Sequence, residues 1–224
     1  MDEDQMKKKL LVVGDSFMCQ DTRYPGQHWS ELLPAFDVIN FGRSGWSNCL
    51  IALTLMEYVS INPPDAVVLG FTDPLRLEFA AQGRHGPDKD WITSNHDGVL
   101  TADEKLCRDY FTVTRDLRLE ANKSAMLIGN LLGMLKSLQI PFAFNYMMFE
   151  SFLPQITELQ QQRLSQFQTQ QIPYNLAMDD PDAWTKFDPM FHVHDMNKQK
   201  KFAMHVEKVL TLQFESSTIK QCEY

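Results

Sequence analysis

Four short apolar runs, each followed by small or polar residues and then by a helix-like stretch, constrain the fold of this chain most strongly. Runs of this length, bounded by turn residues, are typical of strands that are buried on both faces. Strands that alternate with helices predict a parallel sheet with helices on both sides. The sequence therefore predicts an α/β/α sandwich with a mainly parallel sheet of four or five strands, and the predicted strands cover residues 9–14, 37–41, 65–71 and 142–148.

Most segments between these strands carry the apolar periodicity of amphipathic helices. The predicted helices cover residues 28–33, 47–60, 101–138, 153–171 and 195–214. A stretch at about residues 80–112 begins without any period and is rich in Gly, Asp, His and Asn. Long irregular loops of this kind often shape binding sites, so we expect an insertion beside the functional edge of the sheet. Because no linker or repeat divides the sequence, we expect a single domain over residues 1–224.

Charge and composition exclude several classes of protein. The chain has 29 acidic and 21 basic residues and a net charge of −8, which argues against a nucleic-acid surface. Its longest apolar stretches span roughly six residues, whereas a membrane helix needs about 20. The N-terminus lacks the apolar core of a secretory signal. The sequence therefore predicts a cytoplasmic protein that binds neither nucleic acid nor membranes.

The cysteines indicate neither a metal site nor a disulfide framework. Cys19, Cys49, Cys107 and Cys222 are far apart in the chain and form no C-x-x-C pair. We expect them to be small buried or incidental thiols. The sequence therefore calls for no metal ion.

Polar residues follow three of the predicted strands, at the carboxyl edge where parallel sheets gather their reactive groups. Gly14-Asp15-Ser16 follows the first strand, residues 42–45 follow the second, and Thr72-Asp73 follows the third. A serine that opens a helix here lies where backbone N–H groups and the helix dipole stabilise negative charge, which makes Ser16 a candidate nucleophile. The alternative interpretation is a simple turn with a helix N-cap, a position that Asp and Ser favour.

A histidine and a carboxylate close together precede the last predicted helix. Asp188 is followed by His192 and His194, and such a pair can supply a general base and the group that orients it. The spacing leaves both histidines open as the base, and Asp195 is an alternative partner for His194. We favour His192 because it is nearer to Asp188 along the chain.

Together these motifs resemble the four sequence blocks of the SGNH hydrolases, the GDSL-type lipases and esterases. Gly14-Asp15-Ser16 resembles the first block, and residues 44–47 (Ser-Gly-Trp-Ser) resemble the second. Residues 70–73 (Gly-Phe-Thr-Asp) stand where the third block reads G-x-N-D, and residues 188–194 stand for the closing D-x-x-H. The resemblance implies a flavodoxin-like fold.

The resemblance also implies roles for individual residues. Ser16 is the implied nucleophile, with Asp188 and either His192 or His194 as its partners. Ser16, Gly45 and Thr72 are implied to form the oxyanion hole. Thr72 replaces the usual asparagine, and its hydroxyl is a shorter and less rigid donor than an amide, which weakens the third donor.

Two functions follow from this resemblance. The first is a serine esterase that needs no cofactor and hydrolyses small acyl esters, such as O-acetyl groups on carbohydrate. The alternative is a catalytically weak or inactive protein of the same fold that serves in binding or assembly, for example a phage-encoded protein located in the virion. The Thr72 substitution and the irregular last block favour the alternative.

Three further side chains receive structural interpretations. Arg76 and Glu78, after the third strand, are interpreted as a solvated helix face or an ion pair rather than as a substrate clamp. His28, beside Trp29, is interpreted as a surface residue of a short helix.

Overall fold

The computed structural model describes residues 7–20, 24–80, 91–94, 116–176 and 195–221. The strands in this part of the chain are β1 (Lys8–Gly14), β2 (Phe36–Asn40), β3 (Ala66–Gly70), β4 (Leu77–Ala80), β5 (Trp91–Ser94) and β6 (Phe142–Asn145). The α-helices are α1 (Asn48–Ile61), α2 (Leu117–Ser137), α3 (Glu158–Ser165) and α4 (Met196–Gln221). Three 3-10 helices cover Trp29–Leu32, Met147–Gln155 and Gln168–Gln170.

The main sheet has four parallel strands in the order β2-β1-β3-β6. Its register pairs Gly14 with Gly70, and Gly70 with Asn145, so that three strands end at the same level. This strand order starts like the flavodoxin-like doubly wound sheet, which places ligands at the carboxyl ends of the strands. The predicted α/β fold with a parallel sheet of four or five strands is confirmed.

Successive residues of β1 belong to two separate cores, because side chains alternate between the faces of a strand. Leu11 and Val13 pack in the core that α1 and α2 cover, while Leu10 and Val12 pack in the core that α4 covers. All four side chains are fully buried. Burial of each such side chain stabilises the fold by about 1.5–3 kcal/mol. The sheet is therefore the middle layer of three.

Helix α4 runs antiparallel to the strands. Near its end, Gln213 exchanges two hydrogen bonds with the backbone of Phe142 at the start of β6, at 3.1 and 2.7 Å. Near its beginning, the Gln199 side chain accepts from the Trp29 N–H at 2.8 Å. The two glutamines are separated by 14 positions, which corresponds to about 21 Å of helix, close to the length of a strand. The first turn of α4 therefore lies towards the carboxyl edge of the sheet.

One strand ends earlier than predicted, and one predicted helix is divided into shorter segments. The fourth strand stops at Asn145 rather than at residue 148, because the Asn145 side chain accepts from the Met147 N–H at 2.9 Å and Met147 has a φ of 45°. The predicted helix over 153–171 is three short segments. Residues 101–115 of the predicted helix over 101–138 lie outside the described residues, and the rest of that helix is α2.

One strand, β5, lies inside the predicted irregular insertion, and β4 ends at its first residue. Phe79 pairs with Ile92 in an antiparallel arrangement of β4 with β5, which corrects the prediction of irregular structure at residues 91–94. Trp, Ile, Thr and Phe in these strands are residues that favour extended structure, a signal that the surrounding Gly and Asp residues obscured. Residues 81–90 and 95–115 lie outside the described residues. Among the helices that the structure describes, none is long and apolar enough to cross a membrane.

The difference in burial between side chains of α2 predicts how their substitution affects stability. Leu132→Ala, at a fully buried position of α2, should lower the free energy of unfolding by about 2–5 kcal/mol, because the lost burial leaves a cavity. Leu119→Ala in the same helix, where the side chain is 49% exposed, should change it by about 0.5 kcal/mol or less. Urea unfolding of both variants checks this, and equal losses would contradict the assigned burial.

Candidate active site

Ser16 lies in a tight turn that directly follows β1. The Met18 N–H donates to the Asp15 carbonyl at 3.0 Å, and the Phe17 N–H donates to the Asp15 carboxylate at 3.1 Å. The prediction that Ser16 opens a helix is wrong, because these bonds close a turn and, among the described residues, the next helical segment begins at Trp29. The Asp15 carboxylate thus accepts from the Phe17 N–H, a backbone donor that would have no partner at the start of a helix.

Met18 anchors this turn against the ends of three strands. It is fully buried, and it contacts the Cα positions of Gly14, Gly42 and Gly70 so closely that none of them has room for a side chain. A Cβ atom on Gly70 would lie 2.6 Å from two carbon atoms of the Met18 side chain. The strand-end glycines therefore provide space for Met18 as well as close approach of the backbone.

The loop after β2 is fastened to the Ser16 turn. Asn40 donates to the Met18 carbonyl at 2.9 Å and accepts from the Gly42 N–H at 2.7 Å, while the Arg43 N–H donates to the Gly14 carbonyl at 3.0 Å. Gly45 follows with a φ of 82°, a conformation that favours glycine. The backbone at Gly45 is thus held at the same sheet edge as Ser16.

Thr72 is held by the first residue of α1. The Asn48 amide donates to the Thr72 carbonyl at 3.0 Å, and the Thr72 N–H donates to the Asn48 side-chain oxygen at 2.9 Å. Ser47 caps the same helix by accepting from the N–H groups of Cys49 and Leu50. Sequence reasoning missed Asn48. The sequence signal for Asn48 was weak, because it is one polar residue directly after a helix cap and just beyond the second block.

The side chains of Ser16 and Thr72 lie at one edge of the sheet. Each follows by two residues a glycine of the Gly14–Gly70 register pair. Both hydroxyl oxygens are buried, and neither has a hydrogen-bond partner among the described residues. Burying a hydroxyl without a partner costs about 1–3 kcal/mol, so two such groups at one sheet edge suit a site that receives a ligand.

Arg76 is buried among the loops of this edge. Its guanidinium donates to the Trp46 carbonyl at 3.1 Å and lies 3.7 Å from the Asp15 carboxylate. The interpretation of Arg76 as part of a solvated helix face is wrong. The charged group beside it is Asp15, which was not predicted as its partner, and the side chain of Glu78 is outside the described residues. The chain after Arg76 continues as β4, whose extended backbone carries no helix face.

His28 is also buried rather than on the surface. It is 1% exposed, with Nε2 lying 3.3 Å from the Phe17 carbonyl and Nδ1 accepting from the Ser30 N–H at 3.3 Å. Because a carbonyl only accepts, Nε2 carries the proton in this arrangement. Burial lowers the pKa of His28 to about 4, against the hydrogen bond to Phe17 and the charge of Glu31, which raise it.

The predicted base and its partner are outside the described residues. Asp188, His192 and His194 belong to the undescribed stretch 177–194, so their roles stay predictions. Asp195, the next residue, accepts from the Asn197 N–H at 2.8 Å and thereby caps α4. In the described ranges, no three His, Cys, Asp or Glu side chains are grouped to hold a metal ion.

The fold recurs in solved structures of lipolytic proteins and esterases. TesA matches with a TM-score of 0.57 and 13% identity over 92% of this chain and 99% of TesA. A member of the lipolytic G-D-S-L family from Veillonella parvula matches with 0.52 and 12% over 91% and 98%. Axe2, an acetylxylan esterase from Geobacillus stearothermophilus, matches in the form of a catalytic mutant with 0.53 and 12% over 91% and 94%.

These comparisons establish the fold. No protein-family model matches the chain, and no curated protein matches its sequence. The chain has the α/β/α fold of the G-D-S-L lipolytic proteins and spans nearly their whole length, as the four sequence blocks implied.

The buried His28 predicts a particular loss of stability in acid. Its pKa of about 4 in the folded protein is below the ordinary value of 6.5, so between these values only the unfolded chain binds the proton. The stability that neutral His28 contributes is complete above about pH 6.5 and is lost as the pH falls to 4, by about 3 kcal/mol in all.

Urea unfolding at pH 7, 5.5 and 4.5 measures this loss. The variant His28→Asn keeps an acceptor at the cap position but cannot titrate in this range. It should start less stable at pH 7 and then lose less stability than the wild type on acidification. Parallel curves for the two proteins would show that His28 does not carry the acid sensitivity.

Proposed function

We propose that this chain is a serine esterase that hydrolyses small acyl esters, with Ser16 as its nucleophile. The observation that carries the proposal is the pair of buried, unpartnered hydroxyls of Ser16 and Thr72 at the carboxyl edge of the sheet. The loops that bear them are fixed by hydrogen bonds from Asn40 and Asn48. A site fixed before the substrate arrives is what electrostatic stabilisation of a transition state requires.

In this mechanism the Ser16 oxygen attacks the ester carbonyl while the base accepts its proton. The tetrahedral oxyanion accepts hydrogen bonds from the N–H groups of Ser16 and Gly45 and from the Thr72 hydroxyl. The base then gives the proton to the leaving alcohol, and water hydrolyses the acyl-enzyme by the same route in reverse. Loss of one oxyanion donor costs about 2.7–4 kcal/mol, so a weaker donor at Thr72 slows the reaction without abolishing it.

The course of α4 supports a base from the segment before it. Asp195 caps α4 at the end of that helix which lies towards the carboxyl edge. Gln199, one turn into α4, bonds to Trp29, and the neighbouring His28 contacts the carbonyl of Phe17, next to Ser16. We propose that the segment bearing Asp188, His192 and His194 enters the site from this side, with His192 as the base and Asp188 as the group that orients it.

The proposed substrate is an O-acetyl group on a carbohydrate or another small acyl ester. The likeness to Axe2, described as an acetylxylan esterase, supports this class. The proposed reaction needs no metal or organic cofactor, because serine, imidazole and carboxylate supply the nucleophile, the base and its orientation.

A binding or assembly protein of the same fold is the second candidate. Thr72 stands where the third block has asparagine, and the spacing of the last block is irregular. Both features suit a protein whose serine no longer reacts. A phage origin and a place in the virion belong to this candidate.

A fluorophosphonate probe separates the two candidates. The wild type should be labelled and should hydrolyse 4-nitrophenyl acetate, whereas Ser16→Ala should resist the probe and lose several powers of ten in turnover. Ser60→Ala, which changes an exposed serine of α1, should behave like the wild type. Labelling of the Ser16→Ala variant would place the nucleophile elsewhere, and a wild type that is neither labelled nor active would favour the binding protein.

Alanine variants of the two histidines identify the base. His192→Ala should behave like Ser16→Ala, because members of a triad act as a unit, while His194→Ala should lose tenfold or less in turnover. The steady-state rate on 4-nitrophenyl acetate between pH 5 and 9 measures both. The reverse order would assign the base to His194, and near-normal rates in both variants would exclude this segment as its source.

A further inference from the structure

The Arg76 guanidinium joins the loops that follow all four strands of the main sheet. Arg76 belongs to the loop after β3, where its N–H donates to the Asp73 carbonyl at 3.2 Å. Its side chain reaches Asp15 after β1, the Trp46 carbonyl after β2, and the Met148 sulfur after β6, the last at 3.7 Å. Only 8% of the residue is exposed. The guanidinium therefore contacts other groups of the protein and very little solvent.

The Asp15 carboxylate creates a need for this cation. Asp15 is fully buried, and it precedes the proposed nucleophile directly. Burying a carboxylate without a compensating charge is strongly unfavourable. Its negative charge also opposes the negative charge that develops on an oxyanion next to Ser16, since Coulomb interactions are weakly screened in a buried site. Arg76 lies at 3.7 Å from this carboxylate.

We propose that Arg76 is a positioning residue for the ester hydrolysis proposed above, on which this inference rests. Through Asp15 it holds the turn of Ser16, and through the Trp46 carbonyl it holds the loop of Gly45. It also offsets the charge of Asp15, which would otherwise oppose the charge of the oxyanion. Arg76 itself touches neither the substrate nor the reacting atoms.

The test compares substitutions that separate charge from geometry. Arg76→Met keeps the length of the side chain but removes the charge and the bond to Trp46. It should lower kcat on 4-nitrophenyl acetate about 100-fold and change KM less than about threefold, because the defect lies in the transition state. Arg76→Lys keeps the charge without the forked donors, and its kcat should fall between those of Arg76→Met and the wild type.

The double variant Asp15→Asn/Arg76→Met distinguishes this role from a purely structural one. The amide introduced by Asp15→Asn still offers an oxygen to the Phe17 N–H but carries no charge, so the double variant removes both partners of the pair. Its kcat should be at least about tenfold above that of Arg76→Met, a coupling typical of residues in contact. It also removes the buried carboxylate that faced Arg76, so it should fold even if Arg76→Met does not.

Arg118→Met, at an exposed position of α2, is the matched control and should keep kcat within about twofold. The single variant Asp15→Asn completes the comparison. The proposal is overturned if folded Arg76→Met keeps kcat within about threefold of the wild type, or if the losses of Asp15→Asn and Arg76→Met simply add in the double variant. The fluorophosphonate probe separates this failure from failure of the proposed function. A wild type that resists the probe overturns both, whereas Arg76→Met labelled at the wild-type rate overturns the role of Arg76 alone.

Discussion

The close packing of Met18 against Gly14, Gly42 and Gly70 is the contact on which the candidate site depends. It brings the turn after β1 against the end of β3 and the loop after β2, because the Met18 side chain packs on Gly14 and Gly70 while the Met18 backbone packs on Gly42. The hydrogen bonds from Asn40 and Arg43 form between segments that this packing has already placed together. Side chains on these loops therefore lie in positions that the sheet determines.

The electrostatics of this edge favour a developing negative charge. The N-terminus of α1 lies beside Thr72 through the bonds of Asn48, and its dipole contributes partial positive charge there. The negative charge of Asp15, which directly precedes Ser16, is offset by the guanidinium of Arg76. His28, buried behind the turn, stays neutral at neutral pH because burial lowers its pKa to about 4.

The sequence was sufficient to predict the sheet and the edge that carries Ser16 and Thr72. Strands buried on both faces leave a strong local signal, and the polar residues that follow them lie at one edge in any parallel sheet. His28, Asn48 and Arg76 were missed or misread because their partners are 11, 24 and 61 residues away along the chain. These residues are buried because loops that are distant in the sequence pack together, and a local sequence pattern does not predict such packing.

The two reciprocal hydrogen bonds between the Asn48 side chain and the Thr72 backbone have a consequence for how the carboxyl edge of the sheet changes in evolution. The amide of Asn48 pairs with the backbone at residue 72 in the way that a peptide group of a neighbouring strand would. Among the described residues, the Thr72 hydroxyl makes no hydrogen bond that would hold this loop. The backbone at residue 72 is fixed by Asn48 instead, so the identity of the proposed third donor can change without loss of these two bonds.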